Sequence, residues 1–250
     1  MLVTGGSEGL GAACVNIFRQ AGWKISVLAL PGPKIESLSS PELLTVAGDV
    51  TSNEARRSAV AQTISRFGRI DLLINNAGVG LYAPPSSVDL DLSRRIFEIN
   101  VFAALAMAQL AIPIMLRQKA GTIVNIGSVG GVVSLPWSVM YSASKFALHA
   151  VDDSLHRELR SKGIRVIKVC AGIIDTAFRE HVLAGKAPAE VSSIKRVVSP
   201  HQVAARIYEA VERGTRTVYV PRIGRLFAAM GIATPWLMDW YLARKWNETE

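Results

Sequence analysis

Short apolar runs alternate with helix-like stretches along almost the whole chain, and this alternation restricts the fold more than any other feature. Residues 24–30 and Ile164–Ala171 have the length and the branched apolar residues of buried strands. Helical patterns lie between such runs, for example Gly9–Gln20, which Gly22 ends. Strands that alternate with helices at these lengths form βαβ units. The sequence therefore predicts an α/β fold with a doubly wound parallel sheet and helices on both faces, three layers in all.

The remaining elements are predicted from their end signals. Ser52 caps a helix that ends at Phe67 and Gly68, and Ser199-Pro200 opens another that ends at Arg213. Further strands are expected over 2–4, 43–47, 70–74, 122–128 and 217–220, and a loop follows the break at residues 31–33. Long helices are expected over 89–117, where Pro113 is a kink or an early stop, and over 141–161.

The chain length fits one domain. Its 250 residues are half apolar, enough for a substantial core, and no repeat or linker divides them. We therefore assign one domain to residues 1–220, which includes a substrate loop over 172–198, and treat 221–250 as an apolar C-terminal tail. Cys14 and Cys170 lie in apolar patterns, which indicates buried thiols and neither a disulfide nor a metal site.

The net charge and the first residues of the chain indicate which partners to expect and where in the cell the protein is located. The net charge is +8, but the basic residues are scattered without runs or interleaved aromatics, so we expect no nucleic-acid partner. The chain opens directly on Met-Leu-Val-Thr-Gly-Gly with no secretory signal, so we expect a cytoplasmic protein. The strand 2–4 is short for a first strand, which leaves open whether residues precede Met1.

Glycines join the first strand to the first helix in the stretch Thr4-Gly5-Gly6-Ser7-Glu8-Gly9-Leu10-Gly11. Glycines let a backbone approach a pyrophosphate, and the start of a helix offers unpaired N–H groups and a positive dipole end. The spacing is Gly-x-x-x-Gly-x-Gly. Alone it is a weak signal, and its position between strand and helix strengthens it.

A second polar group surrounds Tyr141 and Lys145. These two residues are four apart, so on a helix they share one face. An ammonium beside a phenol favours tyrosinate and lowers the pKa of the phenol, which suits acid/base chemistry. Ser128 closes a buried strand just before that helix. A Tyr-x-x-x-Lys pair also arises by chance on helix surfaces, so the pair gains weight only from the other motifs.

Together these motifs identify the chain as similar to the short-chain dehydrogenase/reductase family over nearly its full length. They are the glycine loop, Asp49, Asn75-Asn76-Ala77-Gly78, Asn100, Ser128 and Tyr141-x-x-x-Lys145, in the family's order. The stretch after Tyr141 resembles the branch that acts on steroids, retinoids and other apolar alcohols or ketones. The resemblance implies a Rossmann-like fold and an oxidoreductase that moves a hydride between a nicotinamide cofactor and a carbonyl or secondary alcohol.

The resemblance also implies catalytic roles. Tyr141 is the general acid in carbonyl reduction and the base in alcohol oxidation, and Ser128 hydrogen-bonds the substrate oxygen. Lys145 lowers the pKa of the tyrosine and holds the nicotinamide ribose. Asn100 places a water that links Lys145 to solvent, although a hydrogen-bonded buried Asn explains its presence as well.

The cofactor site implied by the resemblance draws on strand ends across the sheet. Asp49 reaches the adenine while Val50 packs beside it, and Thr176 hydrogen-bonds the carboxamide or serves as a plain loop residue. The complete expected set is Gly5, Ser7, Glu8, Gly9, Leu10, Gly11, Asp49, Val50, Asn76, Ala77, Gly78, Tyr141, Lys145, Gly172, Ile174 and Thr176.

Two departures from the family's pattern affect the cofactor. Ala171-Gly172 replaces the frequent Pro-Gly. The second strand ends in Ala29-Leu30, which lacks the acid that selects NAD(H). Lys34 is a candidate ligand of the 2′-phosphate of NADP(H), although it can also be a solvated loop lysine. Glu8, a negative charge in the glycine loop, argues for NAD(H). The balance favours NADP(H) over NAD(H).

The substrate loop and the tail are apolar. Val133, Leu135 and Phe178 are among the residues that suit an apolar substrate or simple loop packing. The tail is too short to span a bilayer, and Pro235 interrupts it. Three placements of the tail are open. It covers the active site of its own or of a second subunit, it lies on a membrane surface with which its flanking basic residues interact, or it belongs to the core.

Three functional alternatives follow. The leading one is the oxidoreductase, with a homodimer or homotetramer formed through the long helices, as the resemblance implies. The second is a cofactor-bound sensor or scaffold without turnover, against which the intact Ser128, Tyr141, Lys145 and Asn100 argue. The third is an epimerase or dehydratase, whose relatives usually carry an added C-terminal domain that this chain lacks.

Overall fold

Seven parallel strands form one sheet in the computed structural model, which describes residues 1–38, 40, 42–179, 181–185 and 197–246. Their order across the sheet is β3-β2-β1-β4-β5-β6-β7. The predicted doubly wound parallel sheet is confirmed. The strands are β1 (Leu2–Thr4), β2 (Ile25–Ala29), β3 (Leu43–Ala47), β4 (Leu72–Asn75), β5 (Gly121–Ser128), β6 (Ile164–Ala171) and β7 (Thr217–Val220).

Helices cover both faces of the sheet and bury two separate apolar clusters. On one face Phe18 and Ile207 pack against β1 and β2. On the other face Met107, Met115 and Leu159 pack against β4 and β5. The helices are α1 (Gly9–Gln20), α2 (Pro33–Glu36), α3 (Asn53–Phe67), α4 (Leu90–Phe97), α5 (Ala103–Gln118), α6 (Val139–Leu159), α7 (Pro200–Arg213), α8 (Gly224–Ala233) and α9 (Pro235–Trp246).

Most of the predicted helix ends agree with the structure, because the predicted capping residues form their hydrogen bonds. The Ser52 hydroxyl accepts a hydrogen bond from the Ala55 amide, and Gly68 ends α3 in the left-handed conformation. Ser199 and Gln202 form a capping box at the start of α7. Tertiary contacts move other boundaries. α6 begins two residues before Tyr141, and the break at 31–33 leads into the short helix α2, which the sequence did not predict.

The long helix expected over 89–117 forms as one continuous stretch over Leu90–Gln118, but its α-helical pattern is interrupted. Asp89 caps α4, a π-helical turn over Glu98–Phe102 follows, and α5 continues to Gln118. Pro113 does not end the helix because Ala111 and Met115, on either side of it, are buried against the sheet. That burial outweighs the one backbone hydrogen bond that a proline removes.

The continuous helical stretch Leu90–Gln118 is long and apolar enough, by composition alone, to cross a membrane. Its position argues for a different role. Ala104, Met107 and Ala108 are buried between the sheet and neighbouring helices. A helix that packs in this way is a core helix of the α/β domain.

Sheet register brings the carboxyl ends of the central strands together. Thr4 pairs with Asn75, and Asn75 pairs with Asn125, three residues before the end of β5. Ligands bind at this edge in open α/β sheets. The Asn75 side-chain amide donates to the Ala104 carbonyl of α5 at 3.1 Å and to the Asn125 side chain at 2.8 Å, so Asn75 supports the scaffold.

Candidate active site

A cavity of about 640 Å³ lies at the carboxyl edge of the sheet. It extends from the glycine loop before α1, past the ends of β4 and β5, to the start of the C-terminal tail. One end is polar and the other is apolar, with Val133, Leu135, Phe178 and Phe227 in its wall. Such a site holds one extended ligand, or two ligands end to end.

Ser128, Tyr141 and Lys145 meet in the middle of this cavity. Ser128 ends β5, and its hydroxyl accepts a hydrogen bond from the Gly130 amide at 3.0 Å. Tyr141 comes from the first turn of α6, and its phenol lies beside the Ser128 side chain. Tyr82 and Phe178 flank the Tyr141 ring, with centroids 6.4 and 6.1 Å away. The phenol is thus held between a hydroxyl and two aromatic rings.

Lys145 is buried one turn further along α6. Its Nζ donates to the Ile126 carbonyl at 2.9 Å and lies 5.9 Å from the centroid of the Tyr141 ring. Gly78 leaves the space in front of the ammonium open, since a Cβ there would lie 3.5 Å from Nζ. The lysine is therefore fixed beside the phenol with donor capacity to spare.

Burial controls the charges of this group. It raises the pKa of the Tyr141 phenol above its ordinary value, and the hydrogen bond with Ser128 acts in the opposite direction. It lowers the pKa of the Lys145 ammonium to about 8, against the attraction of Asp152. The expected lowering of the tyrosine pKa by Lys145 is therefore outweighed by burial in this structure.

Asn100 lies in the π-helical turn, buried behind Lys145. Its side-chain amide donates to the Val79 carbonyl at 3.1 Å and to the Ser144 hydroxyl at 3.0 Å, and its oxygen accepts from the Val79 amide at 2.9 Å. Asn100 is not part of the cavity wall. Its side chain fastens the loop after β4 to α6, and the water relay stays a prediction.

The glycine loop is fastened to the end of β4. The Thr4 hydroxyl accepts hydrogen bonds from the Asn76 and Ala77 amides, both at 3.1 Å, and the Asn76 side chain donates back to the Thr4 and Gly5 carbonyls. Gly11 makes this close contact possible, because a Cβ on it would lie 2.1 Å from the Gly5 carbonyl oxygen. Gly11 lies behind the loop and does not line the cavity, and its place in the cofactor site stays a prediction.

Two charged groups border the polar end of the cavity. Asp49 accepts hydrogen bonds from the amide and hydroxyl of Thr51, and Arg95 of α4 donates to its second oxygen at 2.8 Å. Glu8 pairs with Lys34 and with His181, whose Nε2 lies 2.9 Å away. The hydrogen bond from Lys34 holds the pKa of Glu8 below its ordinary value. Lys34, a predicted phosphate ligand, is thus already engaged with Glu8.

The sequence model described as short chain dehydrogenase matches residues 1–187 of this chain. The chain belongs to the short-chain dehydrogenase family. A mouse family member, Dehydrogenase/reductase SDR family member 7B, is 33% identical in an alignment of 186 residues, gaps included, that covers 70% of this chain and 58% of that protein. The chain therefore spans less than two thirds of this relative's length.

Solved structures of short-chain dehydrogenases match the whole fold. One from Streptomyces avermitilis superposes with a TM-score of 0.83 at 25% identity and covers 100% of this chain and 97% of its own. Another, from Burkholderia cenocepacia in complex with NADP, has a TM-score of 0.80 at 28% identity, and the match covers 96% of this chain and 95% of the Burkholderia chain. The predicted family and Rossmann-like fold are confirmed.

Most of the predicted dehydrogenase residues line the cavity. They are Gly5, Ser7, Glu8, Gly9, Leu10, Asp49, Val50, Asn76, Ala77, Gly78, Ser128, Tyr141, Lys145, Gly172, Ile174 and Thr176. Part of the predicted substrate loop, residue 180 and residues 186–196, lies outside the described residues. The sequence did not identify Tyr82, Arg95, His181 or Tyr241 as lining residues. Arg95 and His181 reach the site only through tertiary contacts, which no local spacing indicates, whereas the apolar tail was a signal for Tyr241.

Proposed function

We propose that this protein is an NAD(P)(H)-dependent oxidoreductase that transfers a hydride between nicotinamide and a carbonyl or secondary alcohol of an apolar substrate. One observation carries the proposal: Ser128, Tyr141 and Lys145 converge within a cavity that also contains the glycine loop. The Burkholderia structure, a relative with NADP bound, supports the cofactor class. When bound, the cofactor supplies or accepts the hydride.

The polar end of the cavity fits a dinucleotide. Gly5 and Gly9 have φ values of 64° and 53°, which glycine adopts without strain, so the loop backbone can approach a phosphate closely. Glu8 makes no side-chain capping bond at the start of α1, and so the first amides of this helix face the loop with the positive end of the helix dipole. These residues would hold the pyrophosphate, and Asp49 with Val50 would border the adenine.

Three side chains would act on the substrate oxygen. In the reducing direction Tyr141 donates its phenolic proton to the oxygen as the carbonyl carbon becomes tetrahedral, and Ser128 donates a hydrogen bond that stabilises the developing charge. The raised pKa of Tyr141 keeps the phenol protonated for this step. The Lys145 ammonium then stabilises the tyrosinate that remains. Oxidation of an alcohol reverses these steps, and Asn100 would position a relay water behind Lys145.

An apolar substrate is supported by the wall around Tyr141. Val133 and Leu135 precede α6, Phe178 follows β6, and Phe227 comes from α8 of the tail. Val133 is also buried against Met238 and Leu242 of α9, so the tail is packed onto the substrate end of the cavity. These contacts support the interpretation that the tail covers the active site of its own subunit.

We propose NADP(H) as the preferred cofactor. Leu30 follows β2 with 64% of its surface exposed and offers no carboxylate to a ribose. The Lys34 ammonium lies beside Glu8 at the rim of the cavity, and Lys34 and His181 together offset the negative charge of Glu8. A 2′-phosphate that displaces Glu8 from Lys34 exchanges one exposed ion pair for a charge-assisted hydrogen bond.

Lys34→Gln should lower the ratio of kcat/KM with NADPH to that with NADH by about tenfold, since a hydrogen bond to a charged group contributes about 1.5–3 kcal/mol. Glu8→Gln should raise the same ratio, because it releases Lys34 and removes a negative charge. Steady-state kinetics with both cofactors measure the two ratios. Equal ratios for wild type and both variants would contradict the role given to Lys34.

The rate of ketone reduction should be constant at neutral pH and fall as the pH rises through about 8, where the Lys145 ammonium loses its proton. The phenol of Tyr141 stays protonated over this range because its pKa is raised. Burial raises the pKa of the Asp152 carboxyl to about 8, so its negative charge develops over the same pH range and favours the ammonium. Asp152→Asn lacks that charge and should move the midpoint to lower pH. A pH profile of kcat/KM for both proteins tests this, and an unmoved midpoint would assign the titration to another group.

A homodimer or homotetramer is supported by exposed apolar residues on the long helices. Phe102 and Leu116 are exposed on the α4–α5 side and Val139 and Phe146 on α6. Burying such residues against a second subunit removes apolar surface from water. Sedimentation equilibrium of the purified protein tests this directly, and a monomer at micromolar concentration would contradict it.

A screen of cofactor and substrate pairs tests the proposed function. NADPH and NADH are each mixed with a panel of apolar ketones, and NADP⁺ and NAD⁺ with the matching alcohols, while the absorbance of the reduced nicotinamide is followed. We expect turnover with at least one apolar pair. Tight cofactor binding without turnover of any pair would favour the alternative of a sensor or scaffold.

A further inference from the structure

The two tail helices expose an apolar surface on the side opposite the one that packs on the domain. Leu226 and Met230 are one turn apart on α8, and Trp236 and Trp240 are one turn apart on α9. Trp236 is 70% exposed, Leu226 59% and Trp240 58%. The opposite side of this pair is the one that packs on Val133. An exposed apolar surface of this kind marks a docking site.

A basic cavity of about 230 Å³ adjoins this surface. It lies between α7, β7 and the start of α8, and its charged lining consists of Arg206, Glu209, Arg213, Arg222 and Arg225. Glu209 is paired with Arg206. Within the part of the chain that the structure describes, the other three arginines form no ion pair with a carboxylate. The cavity is therefore positively charged and suited to an anion such as a phosphate group.

The apolar surface and the basic cavity are parts of one face. Arg222 and Arg225 line the cavity, and Leu226, the residue after Arg225, is exposed. At the far end of the face the Arg244 guanidinium lies 5.7 Å from the Trp240 ring centroid. Tryptophan and arginine are the residues that suit the boundary between headgroups and acyl chains.

A second copy of the chain fits this face less well than a bilayer does. In a symmetric dimer through the same face, the arginines of both copies would be drawn to one interface, where like charges repel. An anionic bilayer offers apolar depth for the tryptophans and phosphates for the arginines at the same time.

We propose that α8 and α9 lie on the surface of an anionic phospholipid bilayer, with Leu226, Trp236 and Trp240 at the acyl boundary and the basic cavity holding the phosphate of a lipid headgroup. The contact is peripheral, since α8 has only 10 residues and α9 has 12. The proposal does not depend on the reaction that the cavity at the sheet edge performs.

Flotation of the full chain with vesicles tests this proposal. We expect binding to vesicles of phosphatidylcholine mixed with phosphatidylglycerol, much weaker binding to phosphatidylcholine alone, and release by salt. Arg222→Gln combined with Arg225→Gln should weaken binding more than tenfold, at about fivefold for each charge. Arg19→Gln combined with Arg117→Gln changes the net charge equally at two exposed residues outside the tail, and should leave binding nearly unchanged.

Further measurements separate the possible occupants of this face. Trp236→Gln combined with Trp240→Gln should lower vesicle binding at least tenfold and leave the sedimentation coefficient without lipid unchanged. A variant that instead dissociates a lipid-free dimer would assign the face to a second copy and overturn the proposal. Equal losses in the two arginine pairs would overturn it as well. Inorganic phosphate that raises the Tm of a protein with no vesicle binding would assign the cavity to a soluble anion.

Discussion

Tyr141→Phe should lower the turnover of ketone reduction by about a thousandfold, while affinity for the nicotinamide cofactor stays close to that of the wild type. General acid catalysis contributes about 10²–10⁴-fold, and the phenylalanine removes only the proton donor. Tyr82 and Phe178 border the Tyr141 ring, so the ring keeps its place without the hydroxyl. Single-turnover rates with bound reduced cofactor, and fluorescence titration of the cofactor, give the two quantities.

The matched control for this variant is Tyr82→Phe, which removes a phenolic hydroxyl from the ring beside Tyr141. It should retain most of the turnover, because Tyr82 carries no assigned proton transfer. A Tyr141→Phe variant that turns over at a near-normal rate would remove the proposed mechanism. Comparable losses in both variants would indicate that the rate depends on the hydroxyls of both rings, and not on a proton donated by Tyr141 alone.

Gly11→Ala should weaken cofactor binding at least tenfold and also lower the free energy of unfolding. The added methyl would lie 2.1 Å from the Gly5 carbonyl oxygen and 2.6 Å from the Asn76 amide nitrogen, so the loop must move away from β4. Overpacking of this kind costs about 1–3 kcal/mol. Displaced amides also lose hydrogen bonds to phosphate, which contribute about 1.5–3 kcal/mol each. Calorimetric titration and thermal unfolding measure the two losses.

Gly68→Ala provides the control for the loop variant. Gly68 ends α3 with a φ of 75° and has open space around its missing Cβ, so alanine there costs about 1–2 kcal/mol of backbone strain. It is not part of the cavity wall. This variant should lose stability and keep cofactor affinity. If Gly11→Ala behaves in the same way, the close contact between the loop and β4 has no part in cofactor binding.

The order of elements was predictable because each signal is local. Ser52 with Gly68, and Ser199 with Gly214, mark helix ends through backbone geometry that does not depend on the rest of the chain. Boundaries set by packing were not predictable in this way. The π-helical turn that carries Asn100 and the helix that continues past Pro113 both follow from burial against the sheet.

The site shows the same division. The glycine loop, Ser128 and Tyr141 were identified because strand ends and helix starts place them at one edge of a parallel sheet. The pairs Asp49–Arg95 and Glu8–Lys34 join residues 46 and 26 apart in sequence, and no spacing indicates such contacts. Burial around Tyr141 is also a property of the assembled fold, and it reverses the direction of the pKa shift expected from Lys145 alone.

Transfer of a deuterium label tests the proposed hydride chemistry most directly. The protein is incubated with an apolar ketone that the screen identifies and with NADPH or NADH that carries deuterium on one face of nicotinamide C4. Each face is labelled in turn, and the alcohol that forms is examined by mass spectrometry. The proposed mechanism predicts that one labelled face delivers deuterium to the carbinol carbon, that the other face does not, and that Tyr141→Phe slows the transfer by about a thousandfold. Alcohol formed without label from either face, or equal labelling by Tyr141→Phe, would contradict it.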